Sequence, residues 1–336
     1  MTTRRNFLKN TTMLAAGLGV SPLLSSSPLR SYQKEEVING KVRIAVIGVG
    51  MGCRDLQGAL TDNPWVHCVG MCDVNKVRLE EQLARFKKDF PEQTVSIKAY
   101  TDFREVLANK EIDGVIIATP DHWHPYIFAE ALKAGKAIYV EKPVGNSISE
   151  CNAMMDFQKK YKGVVTTGLW QTSQRYFRAA NEILKSGVLG DVYKVQLWLC
   201  QSTNPRPSVE DSEAPSTLDY DMWLGPAPER PFNNSRFRGW RGFWDYGGGQ
   251  QTDWGVHWID SAFDGLKALG LCDREYPDAV FSIAYKDPAS FNETPSCQTS
   301  IFQYKNFHIE WAQQVAYLYN RNQGVAWVGS KATLVC

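Results

Sequence analysis

Residues 42–53 read Val-Arg-Ile-Ala-Val-Ile-Gly-Val-Gly-Met-Gly-Cys, an apolar, mostly β-branched run that passes straight into glycines. Such a run suits a strand buried on both faces, which is what a parallel sheet requires. Gly48 and Gly50 fill the first two places of a Gly-x-Gly-x-x-Gly fingerprint, and a helical pattern begins near Arg54. Cys53 stands in the third place, where Gly or Ala is usual. Side chains are missing at such a loop so that a pyrophosphate can approach backbone N–H groups at a helix N-terminus. A second strand, Val66 to Cys72, ends on Asp73, about 20 positions beyond the loop, where an acid accepts two ribose hydroxyls and repels a 2′-phosphate. The stretch therefore predicts a dinucleotide site built on Gly48, Gly50, Met51, Gly52 and Asp73, with NAD preferred over NADP.

Working outward, strands and helices alternate. A charged helical stretch covers Val77 to Lys88, and Thr101 to Glu105 opens another helix with a capping-box pattern. A strand over Val115 to Ala118 is followed by a helix from Tyr126 to Ala134 with Gly135 as its stop, then a strand over Ala137 to Val140. This alternation predicts an α/β chain whose residues 41–145 form a Rossmann domain, a doubly wound parallel sheet. Ligands of such sheets bind at the C-terminal ends of the strands, which adds Ala118, Thr119 and Pro120 to the nucleotide site. After Gly145 the pattern changes. Strands over Val164 to Trp170, Val192 to Cys200, Phe281 to Tyr285 and Thr299 to Tyr304, with a helix over Phe177 to Ser186, predict an α+β domain at 146–336 with an open, mainly antiparallel sheet.

The composition narrows the partners. Lys plus Arg (37) balances Asp plus Glu (36), so no global basic field exists to hold nucleic acid. The 11 Trp and 14 Tyr supply amphipathic aromatic faces of the kind that stack on sugars, although each also serves ordinary packing. Eight Cys are scattered without a CxxC pair, so no metal-ligand or redox-motif spacing is present, and most read as small buried hydrophobes. Residues 1–30 read as an address. Adjacent Arg4 and Arg5 precede Phe-Leu-Lys and an apolar run from Met13 to Leu24 that is too short to span a membrane, which needs about 20 residues. The pair resembles a twin-arginine export signal, which implies the export machinery as a partner, an exported or periplasmic location, and a protein folded with its cofactor before export.

Two further segments identify a family. Residues 118–124, Ala-Thr-Pro-Asp-His-Trp-His, close one strand, and Glu141-Lys142-Pro143 follow the next. Together with the glycine loop and Asp73 they resemble the Gfo/Idh/MocA oxidoreductases, over about residues 41–335. The resemblance implies that Lys142 is catalytic, that Glu141 contacts the cofactor, and that His124 lies near the nicotinamide. By its residue type alone, His124 reads equally as a structural histidine. A cis Lys142–Pro143 bond would aim the lysine into the cleft.

Within residues 219–260, three glycines at 247–249 break the chain and a helix opens near Thr252, which puts Asp253 and His257 one turn apart on one face. The family carries an Asp-x-x-x-His pair of this kind. An Asp beside a His fixes its tautomer and suits a general base near neutral pH. Arg175, Tyr176, Arg236, Trp240, Arg241 and Trp244 are candidates to line the substrate cleft, the arginines donating to hydroxyls or a carboxylate. The expected chemistry is hydride transfer between nicotinamide and a sugar, polyol or sugar derivative. His257 would take the hydroxyl proton and Lys142 would polarise the oxygen. Two alternatives remain at this point: a glycosidase that oxidises its sugar transiently with retained NAD, and a non-catalytic protein that binds NAD and sugar. The chain stops at Cys336 within a strand-like stretch, where similar family members continue, so a C-terminally truncated chain is expected; the family's pairing through its second domain implies a homo-oligomer.

Overall fold

The computed structural model describes residues 41–50, 63, 65–91, 97–200, 206–272, 276–314 and 320–336. The address at 1–30 and three residues of the glycine stretch, Met51, Gly52 and Cys53, lie outside them. The chain divides into two compact units, one running through Gly168 and including Ser212–Phe232, the other formed by Leu169–Asp211 and Asn233–Cys336.

In the first unit, β1 (Val42–Ile47), β2 (Val66–Cys72), β3 (Lys98–Tyr100), β4 (Gly114–Ile117), β5 (Ala137–Val140) and β6 (Val165–Thr167) form one sheet of order β3-β2-β1-β4-β5-β6. Every neighbouring pair is parallel. Both faces are covered, as the apolar runs require. Val46, Met71 and Ile116 pack on one side with Leu79 and Phe86 of α1 (Lys76–Asp89), while Ala45, Ile47, Val115 and Ile117 pack on the other. That second side is covered by α2 (Phe103–Ala108) and α3 (His124–Lys133). Burying each Ile or Val here contributes about 1.5–3 kcal/mol relative to exposure.

Helix starts follow local side-chain capping. The Asn75 carboxamide accepts from the Arg78 N–H at the start of α1, and Asp102 accepts from the Arg104 N–H at the start of α2. Asp102, within the 101–105 stretch expected to open this helix, is thus its N-cap. A true capping box opens α4 (Ile148–Tyr161), where Ser147 and Glu150 each accept from the other's backbone N–H.

The expected boundary at 145 is moved by β6. Its pairing with β5, Ile138 against Val165, brings α4 and residues through Gly168 into the first unit. The strand is only three residues long, and the run from Val164 to Trp170 does not continue as strand; Trp170–Ser173 is a 3-10 turn in the second unit.

The excursion Ser212–Phe232 also belongs to the first unit. It pairs with the loop after β2 through Lys76 N–H to Thr217 O (2.9 Å) and Asp219 N–H to Val74 O (3.0 Å). It meets the segment after β4 where the Trp123 indole donates to the Met222 and Trp223 carbonyls at 3.1 Å. Gly225, at φ +50°, lies against that indole, and a Cβ there would overlap the ring.

The second unit carries β7 (Val192–Cys200), β8 (Ala279–Tyr285), β9 (Cys297–Gln303), β10 (His308–Gln314), β11 (Gln323–Gly329) and β12 (Thr333–Val335) in the order β12-β11-β7-β10-β9-β8. All pairs are antiparallel except β10 with β7, which gives the mainly antiparallel sheet expected. Helices α5 (Arg175–Lys185) and α6 (Val256–Ala268) bury Phe177, Leu184, Trp258 and Leu266 against Leu197, Trp311 and Trp327. Gly265 of α6 is needed for this approach, since a Cβ would come 2.6 Å from the Trp327 indole nitrogen. The cysteines are more open than expected: Cys68 and Cys72 are buried, while Cys151, Cys200, Cys272, Cys297 and Cys336 are half-buried.

Candidate active site

In the first unit the site is built largely from backbone. Gly48 leaves β1 at φ +90°, and a Cβ there would lie 2.5 Å from the Ala118 carbonyl oxygen and 2.7 Å from the Thr119 nitrogen. Only glycine lets the ends of β1 and β4 meet this closely. The Val49 N–H then donates to Asp73 Oδ2 at 3.0 Å, and the Asn75 N–H to Asp73 Oδ1 at 2.9 Å. Asp73 is buried, and burial pushes its pKa up against the pull of the Asn75 N–H, the Arg78 guanidinium and the Val49 N–H. The Arg78 Nη1 also reaches within 3.7 Å of where a Gly50 Cβ would stand. Ala118, Thr119 and Pro120 are half-buried at the end of β4, and Thr119 Oγ1 is buried without a hydrogen-bond partner among the described residues. A side-chain-free cradle, an acid at the end of β2 and an unsatisfied hydroxyl fit a dinucleotide.

The turn after β5 holds Glu141, Lys142 and Pro143, with the Lys142–Pro143 peptide bond cis. The Glu141 carboxylate accepts from the Tyr139 hydroxyl at 3.2 Å and from the Lys142 N–H at 3.3 Å. Burial, and after it the Glu141 charge, push the Tyr139 pKa up. Gly168 makes room for that carboxylate; a Cβ would come 2.7 Å from it. His124 is 1% exposed, with Nδ1 2.7 Å from the Pro143 carbonyl oxygen and Nε2 2.9 Å from that of Thr119. It ties together the turns after β4 and β5.

In the second unit the candidate groups are side chains around the start of α6. Asp253 lies in a π-helical turn, Gln251–Gly255, that runs into α6 at Val256, so Asp253 and His257 straddle the junction. Single π turns of this kind recur at functional sites. The Asp253 Oδ1 is 3.1 Å from Arg241 Nε, and the Arg241 guanidinium lies over the Trp240 ring at 4.3 Å. Arg241, expected to face substrate, therefore has a second task in holding Asp253.

His257 is 3% exposed and flanked by two indoles, Trp170 at 5.8 Å and Trp254 at 5.9 Å between ring centroids. Trp170 keeps 47% of its surface exposed beside this histidine. No local pattern marks that role, because Val164 to Trp170 has the composition of a strand. The remaining candidates are not drawn together. Arg236 is buried, its Nη2 3.8 Å from Asp211, and so faces inward rather than lining a cleft. Arg175 is exposed at the start of α5. Tyr176 donates to Gln171 Oε1 at 2.8 Å and borders a shallow cleft with Trp258, Arg321 and Cys336. Trp244 is exposed and its backbone N–H donates to Glu293 Oε2.

Comparison with known proteins accounts for both units. Residues 42–169 match the oxidoreductase family with an NAD-binding Rossmann fold, and residues 178–267 match the C-terminal alpha/beta domain of the same family. An alpha-N-acetylgalactosaminidase of Tannerella forsythia is 33% identical over 163 residues, which are 44% of this chain and 34% of that protein. An inositol 2-dehydrogenase of Salmonella typhimurium (strain LT2) is 24% identical over 151 residues, 44% of this chain and 43% of that protein. The chain thus spans between about a third and under a half of these curated relatives. Among solved structures, the WlbA dehydrogenase of Bordetella pertussis, in complex with NADH and UDP-GlcNAcA, superposes with a TM-score of 0.63 at 17% identity. That superposition covers 88% of this chain and 79% of the other, and shows the same fold. With its units matched in order by the two domains of one family, the chain belongs to the Gfo/Idh/MocA oxidoreductases, and its first unit is their NAD-binding Rossmann domain.

Proposed function

We propose that this chain is an exported NAD-dependent oxidoreductase that moves hydride between nicotinamide and a carbinol carbon of a sugar, polyol or sugar derivative. The observation that carries the reading is the Lys142–Pro143 turn at the C-terminal edge of the parallel sheet, on the strand next to the one whose end packs on the Gly48 cradle. Bound NAD would supply the hydride acceptor. Gly48, Gly50 and Asp73 hold it, with Asp73 favouring NAD over NADP. Lys142 hydrogen-bonds to the substrate oxygen and polarises it, and His257 accepts the hydroxyl proton. Asp253 orients the base while Arg241 holds Asp253. Trp240 and Arg175 remain substrate candidates. The test is Lys142→Ala. Hydride transfer should fall by about 10²–10⁴-fold with NADH affinity retained; an unchanged rate removes Lys142 from the mechanism.

One observation favours a second reading. The stretch shared with the alpha-N-acetylgalactosaminidase is 33% identical and covers 44% of the chain. The same residues would serve a glycosidase in which the sugar is oxidised transiently, the aglycone is eliminated, water adds across the double bond left behind and the hydride is returned to the sugar, with no net redox change. Release of an aglycone without change in nicotinamide absorbance selects this reading; accumulation of reduced nicotinamide selects the dehydrogenase. A sugar-binding signal with no product in either assay would leave a binding protein.

Export by the twin-arginine route rests on Arg4 and Arg5. Replacing both by Lys should hold the protein in the cytoplasm; continued export would remove the route. Association with a second copy rests on β8, whose Val280, Phe281, Ile283 and Tyr285 are all more than half exposed. Light scattering should give a multiple of the chain mass, and a monomer would exclude it.

A further inference from the structure

We propose that His124 is a positioning residue held as an imidazolium, whose two N–H groups bind the Thr119 and Pro143 carbonyls and thereby fix the turn that carries Lys142. The proposal rests on the reading of Lys142 as the group that meets the substrate oxygen.

Both ring nitrogens of His124 lie at hydrogen-bond distance from backbone carbonyl oxygens, 2.7 Å to Pro143 and 2.9 Å to Thr119. A carbonyl oxygen only accepts. A neutral imidazole donates through one nitrogen and would turn the lone pair of the other onto the second carbonyl. Two donors, and so the cation, satisfy both contacts. At His122, by comparison, the contact of Nε2 with the Trp223 carbonyl at 3.0 Å is met by a neutral ring that donates there.

Two effects oppose a cation at His124: its burial, and its place in the first turn of α3, where the helix dipole disfavours positive charge. The two bonds are charge-assisted, which strengthens each. The turns that His124 joins also carry two carboxylates, Asp121 after β4 and Glu141 after β5.

The consequence is mechanical. Thr119 follows the residue that crowds Gly48, and Pro143 follows Lys142. Through one ring, the strand end that shapes the nucleotide cradle and the turn that carries the lysine are held as a single piece. A lysine set this way loses little orientational entropy on meeting its substrate.

The test uses the whole protein labelled with ¹⁵N-histidine. The chain has five histidines, and burial lowers the pKa of His67 and His308, so those two are neutral at pH 8. At pH 8 one histidine should show both ring nitrogens in the protonated range, and that pair should vanish in His124→Gln. A pattern in which His124 keeps one bare nitrogen overturns the proposal. Should His124→Gln fold poorly, the unmodified protein still decides the matter: five histidines each with one bare nitrogen at pH 8 overturn it equally.

The positioning role has its own readouts. With lysines carrying ¹³C-methyl groups, the Lys142 signal, assigned by its loss in Lys142→Arg, should move in His124→Gln while that of Lys185 stays. The variant should lose about 10–100-fold in kcat with NADH affinity within a few-fold of the parent. An unmoved Lys142 signal or an unchanged kcat overturns positioning even if the imidazolium is present. The nitrogen and lysine signals need no turnover, so they stand apart from any failure of the proposed activity.

Discussion

The two units build their candidate groups from different materials. In the first, the main chain does most of the work: Gly48 against Ala118, the Val49 N–H on Asp73, and two carbonyls on His124. In the second, the groups are side chains on side chains: Arg241 on Asp253, Arg241 over Trp240, and two indoles beside His257. Backbone geometry tolerates little, because a crowding Cβ has nowhere to go. Side-chain clusters can rearrange, so substitutions there should cost function more than folding.

The largest expected effect is Gly48→Ala. The new Cβ would lie 2.5 Å from the Ala118 oxygen at a φ of +90°. Strain of about 1–3 kcal/mol, with displacement of β4's end, should lower the thermal midpoint and abolish NADH binding. Fluorescence titration and a melting curve check both, and normal NADH affinity would break the contrast between the units.

Next comes His257→Gln, which should reduce kcat by about 10²–10⁴-fold and leave nucleotide affinity intact. A comparable loss of NADH binding would mean that the histidine serves the cofactor instead.

Arg241→Gln sharpens the point further. The Arg241 side chain is 44% exposed, so its ion pair with Asp253 contributes at most about 0.2–1 kcal/mol to stability. The melting curve should barely move. The pH profile of the reaction should shift, because Asp253 loses its cation. An unchanged profile would leave Arg241 without influence on the site.

The smallest effect concerns Cys68. Burial pushes its thiol pKa up from 9.0 to about 12, with a backbone hydrogen bond to Gly70 as the smaller, opposing effect. Above pH 9 the unfolded chain ionises this thiol while the folded one does not. Its contribution is therefore complete below pH 9 and is lost between pH 9 and about 12. Peptide mapping after brief alkylation at pH 8 should find Cys68 unlabelled in the native protein; ready labelling would contradict its burial.

The same contrast explains what residue order encodes. The parallel sheet is legible in Val42–Ile47, Val66–Cys72 and Gly114–Ile117, because strands buried on both faces are near-continuous apolar runs, here interrupted only by the half-buried Arg43 and His67. The sequence allows a cis Lys142–Pro143 bond without requiring it, and the bond is cis. The sixth strand falls on the other side of the expected boundary because three residues carry no periodicity, and its membership depends on pairing with β5. The return of Ser212–Phe232 to the first unit is set by contacts between residues far apart in the chain, such as Trp123 on Trp223, which no local pattern encodes. In the second unit, the four-residue spacing of Asp253 and His257 fits an incidental polar pair equally well, and only the Rossmann half and the family resemblance single it out. The partners that surround them, Trp170 and Arg241, come from a turn and a loop distant in sequence.

Whether the glycine cradle holds one NAD is tested most directly by native mass spectrometry of the folded protein mixed with NAD, beside Gly48→Ala treated identically. One bound NAD per chain in the parent and none in the variant is the predicted result. No bound nucleotide in the parent, or equal loading of the two proteins, would contradict it.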